Sequence, residues 1–438
     1  MHATFLNRRI RRVLALALVS ASTAILAVGA GASASAGHGH GYGHGGFGHG
    51  KSSITCVDWG TVSLGLDASQ HASLCTLTNR NGMKVNITNY GGTVQSIWVP
   101  DRRGQLVNVA LGFSTLSDYV NDTLGQPWPA AGGSGETFFG AIIGRYANRI
   151  ANASFDLNGT HYTLPANNGP NTLHGGPASY NCRIWAATPM TTGTGSVALK
   201  LTYTDPDGYN GFPGNVQNTV TYTLTNDNAL RIDYLATTDK PTVINLTNHL
   251  YFNLAGEGSG DVKGQYLQIS ADNYTPVNSN LIPTTVSVPV AGTAFDFRTP
   301  KPIGQDIERG DLPDNGGQSL PQLVIAHGFD HNWVLNGSGY RLVSTASDRQ
   351  NGITLSTYTD QPGVQFYSGN FMVGDLTGTS GHLYRQTDGF TLETQHYPDS
   401  PHHQGDTAWP SVVLTADAPY TTATTYQFGV KDHWFDRR

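Results

Sequence analysis

Five short stretches of this chain set ionisable side chains beside glycines, amides and aromatics. Gly144-Arg-Tyr-Ala-Asn-Arg149 brings two guanidinium groups to a small-residue bend, and Asn171-Thr-Leu-His174-Gly-Gly176 puts an imidazole immediately before a flexible turn. Asn245-Leu-Thr-Asn-His249-Leu-Tyr-Phe-Asn253 embeds a histidine among amides and aromatics. Phe329-Asp330-His-Asn-Trp333 and Leu392-Glu393-Thr-Gln-His396 each hold a carboxylate between apolar neighbours. Together they offer an acid/base pair, an arginine, and aromatic and amide surface, which is the equipment for binding a sugar and moving a proton on it. Taken singly, each has a plainer use, since a lone His or Glu in a β protein more often satisfies the interior than performs chemistry. Whether the five meet in space depends on the elements that carry them.

Those elements read as strands. Val197-Ala-Leu-Lys-Leu-Thr-Tyr203, Thr219-Val-Thr-Tyr-Thr-Leu-Thr225, Leu230-Arg-Ile-Asp-Tyr-Leu235 and Tyr266-Leu-Gln-Ile-Ser270 are rich in β-branched and aromatic residues. Several alternate apolar and polar positions, the period-two signature of a strand with one buried face. Turn pairs recur along the chain at Asn81-Gly82, Asn158-Gly159, Asp207-Gly208 and Pro213-Gly214, too often for long helices to fit. No window sustains a 3.6-residue period, and no Gly- or Ser-rich linker interrupts the chain after residue 54. One large antiparallel β domain over residues 54–438 is the predicted organisation.

Composition narrows the function classes. Of 438 residues, 38% are hydrophobic and 10% aromatic, enough for a core and against wholesale disorder. Only 13% are charged, about half the usual share, which argues against coiled coils and helix bundles. Lys and Arg number 25 against 31 Asp and Glu, with no basic block beyond the N-terminus, so no nucleic-acid partner is expected.

The N-terminus reads as an export signal. Arg8, Arg9, Arg11 and Arg12 precede an apolar run from Val13 to about Gly31, and Ala34-Ser-Ala36 offers small residues to a signal peptidase. The apolar run approaches spanning length, so a membrane anchor is the competing reading. The small-residue exit and the lack of a second span favour cleavage of residues 1–36 and a secreted, extracellular enzyme. Removing four arginines from 25 leaves 21 basic against 31 acidic residues, a net charge of −10, with no reason to cling to DNA or a membrane. Residues 37–53 follow as a His/Gly-rich flexible segment that cannot pack a core; as a solvated spacer it could still catch a metal adventitiously. Export also places the cysteines in an oxidising setting. A Cys56–Cys75 disulfide would pin the N-terminal segment, leaving Cys182 over, and no Cys-x-x-Cys supports a zinc or redox site.

The chain lacks a His-Glu-x-x-His pattern, a Gly-Lys-Ser/Thr phosphate loop and a Gly-x-Ser-x-Gly elbow, and has no strand–helix units for a dinucleotide. From about Leu74 to its end it does carry, in order, Thr78-Asn-Arg-Asn-Gly-Met83, Asn89-Tyr-Gly-Gly92, Gly144-Arg-Tyr-Ala-Asn-Arg-Ile150 and Asn171-Thr-Leu-His-Gly-Gly176. Gly208-Tyr-Asn-Gly-Phe-Pro-Gly-Asn215, Thr242-Val-Ile-Asn-Leu-Thr-Asn-His249 and Ala271-Asp-Asn-Tyr-Thr-Pro276 follow. The series closes with Gly363-Val-Gln-Phe-Tyr-Ser-Gly-Asn-Phe371 and Glu393-Thr-Gln-His-Tyr-Pro-Asp399. In this series the chain resembles the aldose 1-epimerase (galactose mutarotase) family.

The resemblance implies an all-β fold, a large antiparallel β-sandwich of the galactose mutarotase-like kind, with an open sugar cleft and neither metal nor organic cofactor. It implies His249 as the general acid at the ring oxygen and Glu393 as the general base at the C1 hydroxyl. Arg149, His174, Asp330 and Gln365 match sugar-binding positions, with Asn148 and Tyr251 as further candidates. The implied partner is a small monosaccharide, glucose or galactose foremost, and the implied state a monomer or weak homodimer. Opening a hemiacetal removes a proton at O1 while delivering one to O5, so two opposed acid/base groups suffice. An ionised Glu393 and a protonated His249 would each favour the other's charge, while Arg149 and Asp330 would hold hydroxyls.

Three departures from the family pattern stand out. Leu250 follows the acid histidine where Ser or Thr is usual, His402-His403 follow Pro401 where Asn is usual, and Pro177-Ala-Ser-Tyr-Asn-Cys182 replaces a Gly- and Phe-containing run. Two other functions remain open on the same sandwich. A polysaccharide lyase or hydrolase would pair Glu393 with Asp330 across a glycosidic bond, and a carbohydrate-binding protein would bind sugar without exchanging anomers.

Overall fold

Strands with one apolar face must stack that face on another layer, and two large antiparallel sheets do so here. The structure, a computed structural model, describes residues 50–63, 69–124 and 136–431. The leader and residues 37–49 of the His/Gly-rich segment lie outside the described residues.

The larger sheet has nine strands, in the order Ala186–Thr191, Val197–Asp205, Val216–Leu224, Ala229–Thr238, Tyr420–Val430, Ile353–Thr359, Arg341–Ser347, Tyr266–Ile269 and Lys301–Pro302. Its first four strands form a meander, and the C-terminal strand docks antiparallel on the fourth with Leu230 opposite Tyr426. Val216–Leu224 shows the predicted alternation, with Val216, Asn218, Val220, Tyr222 and Leu224 buried. The second sheet has six strands, Tyr251–Phe252, Phe390–Gln395, Gly363–Tyr367, Asp330–Val334, Asn273–Thr275 and Val288–Pro289. Between the sheets the Phe252 ring lies 5.0 Å from Tyr426, whose hydroxyl donates to the Leu392 carbonyl at 2.8 Å. Phe252, Leu355, Phe366, Phe390, Leu392 and Phe428 are buried in one core with them, each such side chain stabilising the fold by about 1.5–3 kcal/mol.

A five-stranded sheet of consecutive hairpins over Ser53–Asn108 precedes these two. Its first two strands place Cys56 opposite Cys75, and the two are joined in a disulfide. Cys182 is the free thiol, and it is buried.

One helical element departs from the sequence reading. Leu116–Leu124 is a nine-residue α-helix that buries Leu116 and Tyr119. It is too short to register as sustained periodicity, but its cap is written in the sequence: Thr115 Oγ1 accepts the Asp118 amide and donates to its carboxylate, a variant of the capping box.

Candidate active site

The site begins with the polar face of the six-stranded sheet. Residues opposite one another in an antiparallel pair share a face, and here Asp330 opposes Tyr367, Gln365 opposes Glu393, and Tyr251 opposes Thr391. The alternate positions, Trp333 with Val364, Phe366 with Leu392 and Phe252 with Phe390, form the core face. A one-residue slip of the Glu393 strand would send the carboxyl into the core, so burial of the other face sets its register.

The opposite wall comes from two-residue strands and turns. Arg149 pairs with Leu173, and the flanking residues clasp each other: Asn148 N–H donates to His174 Nδ1 at 3.1 Å and His174 N–H to the Asn148 carbonyl at 3.0 Å. Both residues take left-handed backbone angles, φ 66° and 54°. The turn needs glycine at position 175, where φ is +85° and any Cβ would collide with the Gly144 carbonyl. Because Asn148 N–H can only donate, His174 Nδ1 must accept, which puts the ring proton on Nε2. His249 follows the Thr247–Asn248 strand, and its backbone is tied to Gly140 and Ala141 at 3.0 Å each.

These walls converge. His249 Nε2 lies 3.5 Å from Glu393 Oε1, with both side chains almost wholly buried. Thr391 Oγ1 donates to Glu393 Oε1 at 2.9 Å. Arg149 Nη2 approaches Asp330 Oδ2 at 3.7 Å, and its Nε donates to Asn168 at 3.0 Å. Phe138, His174, Tyr251 and Tyr367 surround the His249 ring at centroid distances of 5.1–6.5 Å.

Burial governs the charges. It pushes Glu393 up to about 8, with the nearby Asp330 carboxylate adding to the rise. It pushes His249 down to about 3, and holds His174 well below the usual range with help from His249 and Arg149. The mutual stabilisation of opposite charges expected from the sequence is therefore outweighed by desolvation. The pair holds one proton across the middle pH range, and it resides on Glu393.

Seven of the eight candidates, Asn148, Arg149, His174, His249, Tyr251, Asp330 and Glu393, line one cleft. Gln365 sits a step behind, donating from Nε2 to Asp330 Oδ1 at 2.7 Å and accepting from Gln395 at 3.2 Å. The other guanidinium of the first motif, Arg145, is buried on Asp205 at 2.7 Å and acts as a structural strut. Sequence reasoning missed Phe138, Thr137, Glu136, Tyr367, Phe371 and Met372, which also line the cleft. Tyr367 was detectable as the position two beyond Gln365, whereas Phe138 carries no local signal. The departing 177–182 segment reaches the site, since Asn181 Nδ2 donates to Glu136 Oε1 at 2.6 Å. Leu250 is buried in the core, and His249 Nδ1 has no protein hydrogen-bond partner.

One ligand-capable atom from each of His174, His249 and Glu393 lies within 4.8 Å of the others, so metal binding needs a test on chemistry. Ligation through His174 Nε2 would move its proton to Nδ1, where it would face the Asn148 N–H. The donor set as built fits a hydroxylated substrate better than a cation.

A β-sandwich whose polar sheet face carries a carboxyl–imidazole pair beside an Arg–Asp clamp is an acid–base enzyme for a polyhydroxylated substrate. Comparison with known proteins agrees. The aldose 1-epimerase family profile matches residues 73–427. The galactose mutarotase of Rattus norvegicus is 39% identical over 349 residues, covering 80% of this chain and 92% of the rat protein. The aldose 1-epimerase of Escherichia coli K12 is 37% identical over 357 residues, 81% of this chain and 94% of that protein. Among solved structures, the galactose 1-epimerase of Lactobacillus acidophilus NCFM superposes with a TM-score of 0.70 at 27% identity, covering 87% of this chain and all of that one. The chain belongs to the aldose 1-epimerase family and is a carbohydrate isomerase.

Proposed function

We propose that this aldose 1-epimerase exchanges the α and β anomers of free hexoses, glucose and galactose foremost, with Glu393 and His249 as its proton-transferring pair. The observation that carries the reading is the 3.5 Å approach of His249 Nε2 to Glu393 Oε1 inside the clamp of Arg149 and Asp330. With the proton shifted to His249, the Glu393 carboxylate takes the proton of the C1 hydroxyl. The C1–O5 bond breaks, and His249 protonates O5. The pair then stands as protonated Glu393 and neutral His249, the arrangement that burial favours. Rotation about C1–C2 presents the other face of the aldehyde, and the same transfers run backward to close the ring. The Nε2 proton of His174, the Arg149 guanidinium and the Asp330 carboxylate supply donors and an acceptor for the hydroxyls, holding C1 between the two reacting groups.

Polarimetry of freshly dissolved α-D-glucose and α-D-galactose tests this directly. Faster relaxation to the ordinary equilibrium rotation, unchanged by chelator, is expected; uncatalysed relaxation with both sugars would sink the proposal. A pH series adds a sharper check. The pair needs one proton, and it loses that proton as pH rises through the Glu393 value of about 8. The rate constant kcat/KM is expected to fall above that pH, and a flat profile to pH 10 would contradict the assignment.

The same proposal places the enzyme outside the cell. Arg8 to Arg12, the apolar run and Ala34-Ser-Ala36 support it, as does a formed Cys56–Cys75 disulfide. N-terminal sequencing of the exported chain should begin at or close to Gly37; a retained Met1 in the exported material would refute it.

A further inference from the structure

A second cavity opens behind the strand that carries Glu393. It holds about 330 Å3, against about 40 Å3 in the catalytic cleft, which puts it in the size class of small-molecule sites. Ile244, Val412 and Leu414 give it an apolar side, and Asp360, Gln361 and His396 a polar one.

The polar groups are acceptors short of donors. Gln361 is 2% exposed; its Nε2 donates to Tyr420 Oη at 3.0 Å, leaving Oε1 buried without a partner. The backbone of His396 is pinned on both sides by Asn245, at 3.0 and 3.3 Å, yet its buried Nδ1 has no partner either. Burial keeps that imidazole neutral, with its pKa lowered to about 4, so Nδ1 accepts when Nε2 holds the proton. Asp360 adds a carboxylate whose Oδ1 takes the Ala423 N–H at 3.1 Å, and the Arg341 guanidinium lies close enough to interact with its charge. Buried acceptors without donors are costly, and the Arg341 charge already offsets Asp360. The missing component is therefore a neutral group rich in O–H donors, with C–H surface for the apolar wall.

We propose that this cavity is a second, non-catalytic saccharide site, taking one neutral sugar ring through hydroxyl donors to Gln361, Asp360 and His396. It is separate from the catalytic reading, since none of its residues belongs to the cleft.

The test uses methyl α-D-glucopyranoside and methyl β-D-galactopyranoside, which have no free anomeric hydroxyl and so are not turned over. Equilibrium dialysis compares the wild-type chain with Ala418→Trp, a substitution at the exposed rim of the cavity. The variant is expected to bind one equivalent fewer of at least one glycoside, with its mutarotation rate unchanged. Identical isotherms for both glycosides would overturn the proposal. Should the tryptophan disturb folding, the imidazole 15N signals of His396, assigned by their loss in His396→Gln, decide the matter. They should move during titration of the wild-type protein, and static signals at saturating glycoside would equally overturn it. Mutarotation measured on the same samples keeps this outcome distinct from any failure of the catalytic assignment.

Discussion

A Glu393→Gln chain is expected to lose roughly 10²–10⁴-fold in kcat for anomer exchange, the usual worth of a positioned general acid–base group, while keeping its fold. Gln matches the side chain in shape and can still receive the Thr391 hydroxyl, which meets Glu393 Oε1 at 2.9 Å, but it cannot take a proton from O1. Stability should move in the opposite direction from activity at alkaline pH. Burial raises the Glu393 carboxyl from 4.5 to about 8, so the folded chain holds this proton more tightly than the unfolded one. The stabilisation tied to that proton is complete below about pH 4.5 and is lost as pH rises through about 8. Glutamine does not titrate. Thermal melts at pH 5 and pH 9 should therefore show the variant gaining on the wild type with rising pH. Near-normal turnover in the variant would remove Glu393 from the base role, and a constant difference in melting temperature would show that the carboxyl is not desolvated as the structure has it.

His249→Asn should lose activity on a similar scale, about 10²–10⁴-fold, with stability nearly unchanged. The imidazole is enclosed by Phe138, His174, Tyr251 and Tyr367, but its Nδ1 has no protein partner and its Nε2 faces Glu393 at 3.5 Å. The substitution therefore breaks no internal hydrogen-bond network. What disappears is the group that can hold a proton over O5. Because Glu393 and His249 pass one proton between them, their effects should not add, and the double variant should be little slower than the worse single one. Wild-type turnover in His249→Asn would identify another acid; a collapse in melting temperature would mark the residue as structural.

Much of the architecture is legible in the chain as written. The alternation in Val197–Asp205 and Val216–Leu224 marks strands because a pleated backbone turns every second side chain to the core. The same rule lets Asp330, Gln365 and Glu393, each with apolar neighbours, be read as polar positions on half-buried strands. Local chemistry also marks the 174–176 turn and the Thr115 cap. Other features depend on residues brought together from far apart. Arg145 and Arg149 look equivalent in one motif, yet Asp205 draws one into the interior while Asp330 holds the other in the cleft. Phe138 becomes part of the site because Gly140 bonds to the backbone of His249.

The protonation of the catalytic pair lies furthest from anything readable in the sequence. Residue types implied a carboxylate and an imidazolium supporting each other, whereas the folded cleft favours the neutral forms of both. Residue types and their spacing decide which groups are present and which face of a strand they occupy, because both are properties of the local backbone. How much water surrounds those groups is decided by the packing of the sheets and turns around them, and desolvation, here stronger than the pair's mutual attraction, sets where the working proton rests.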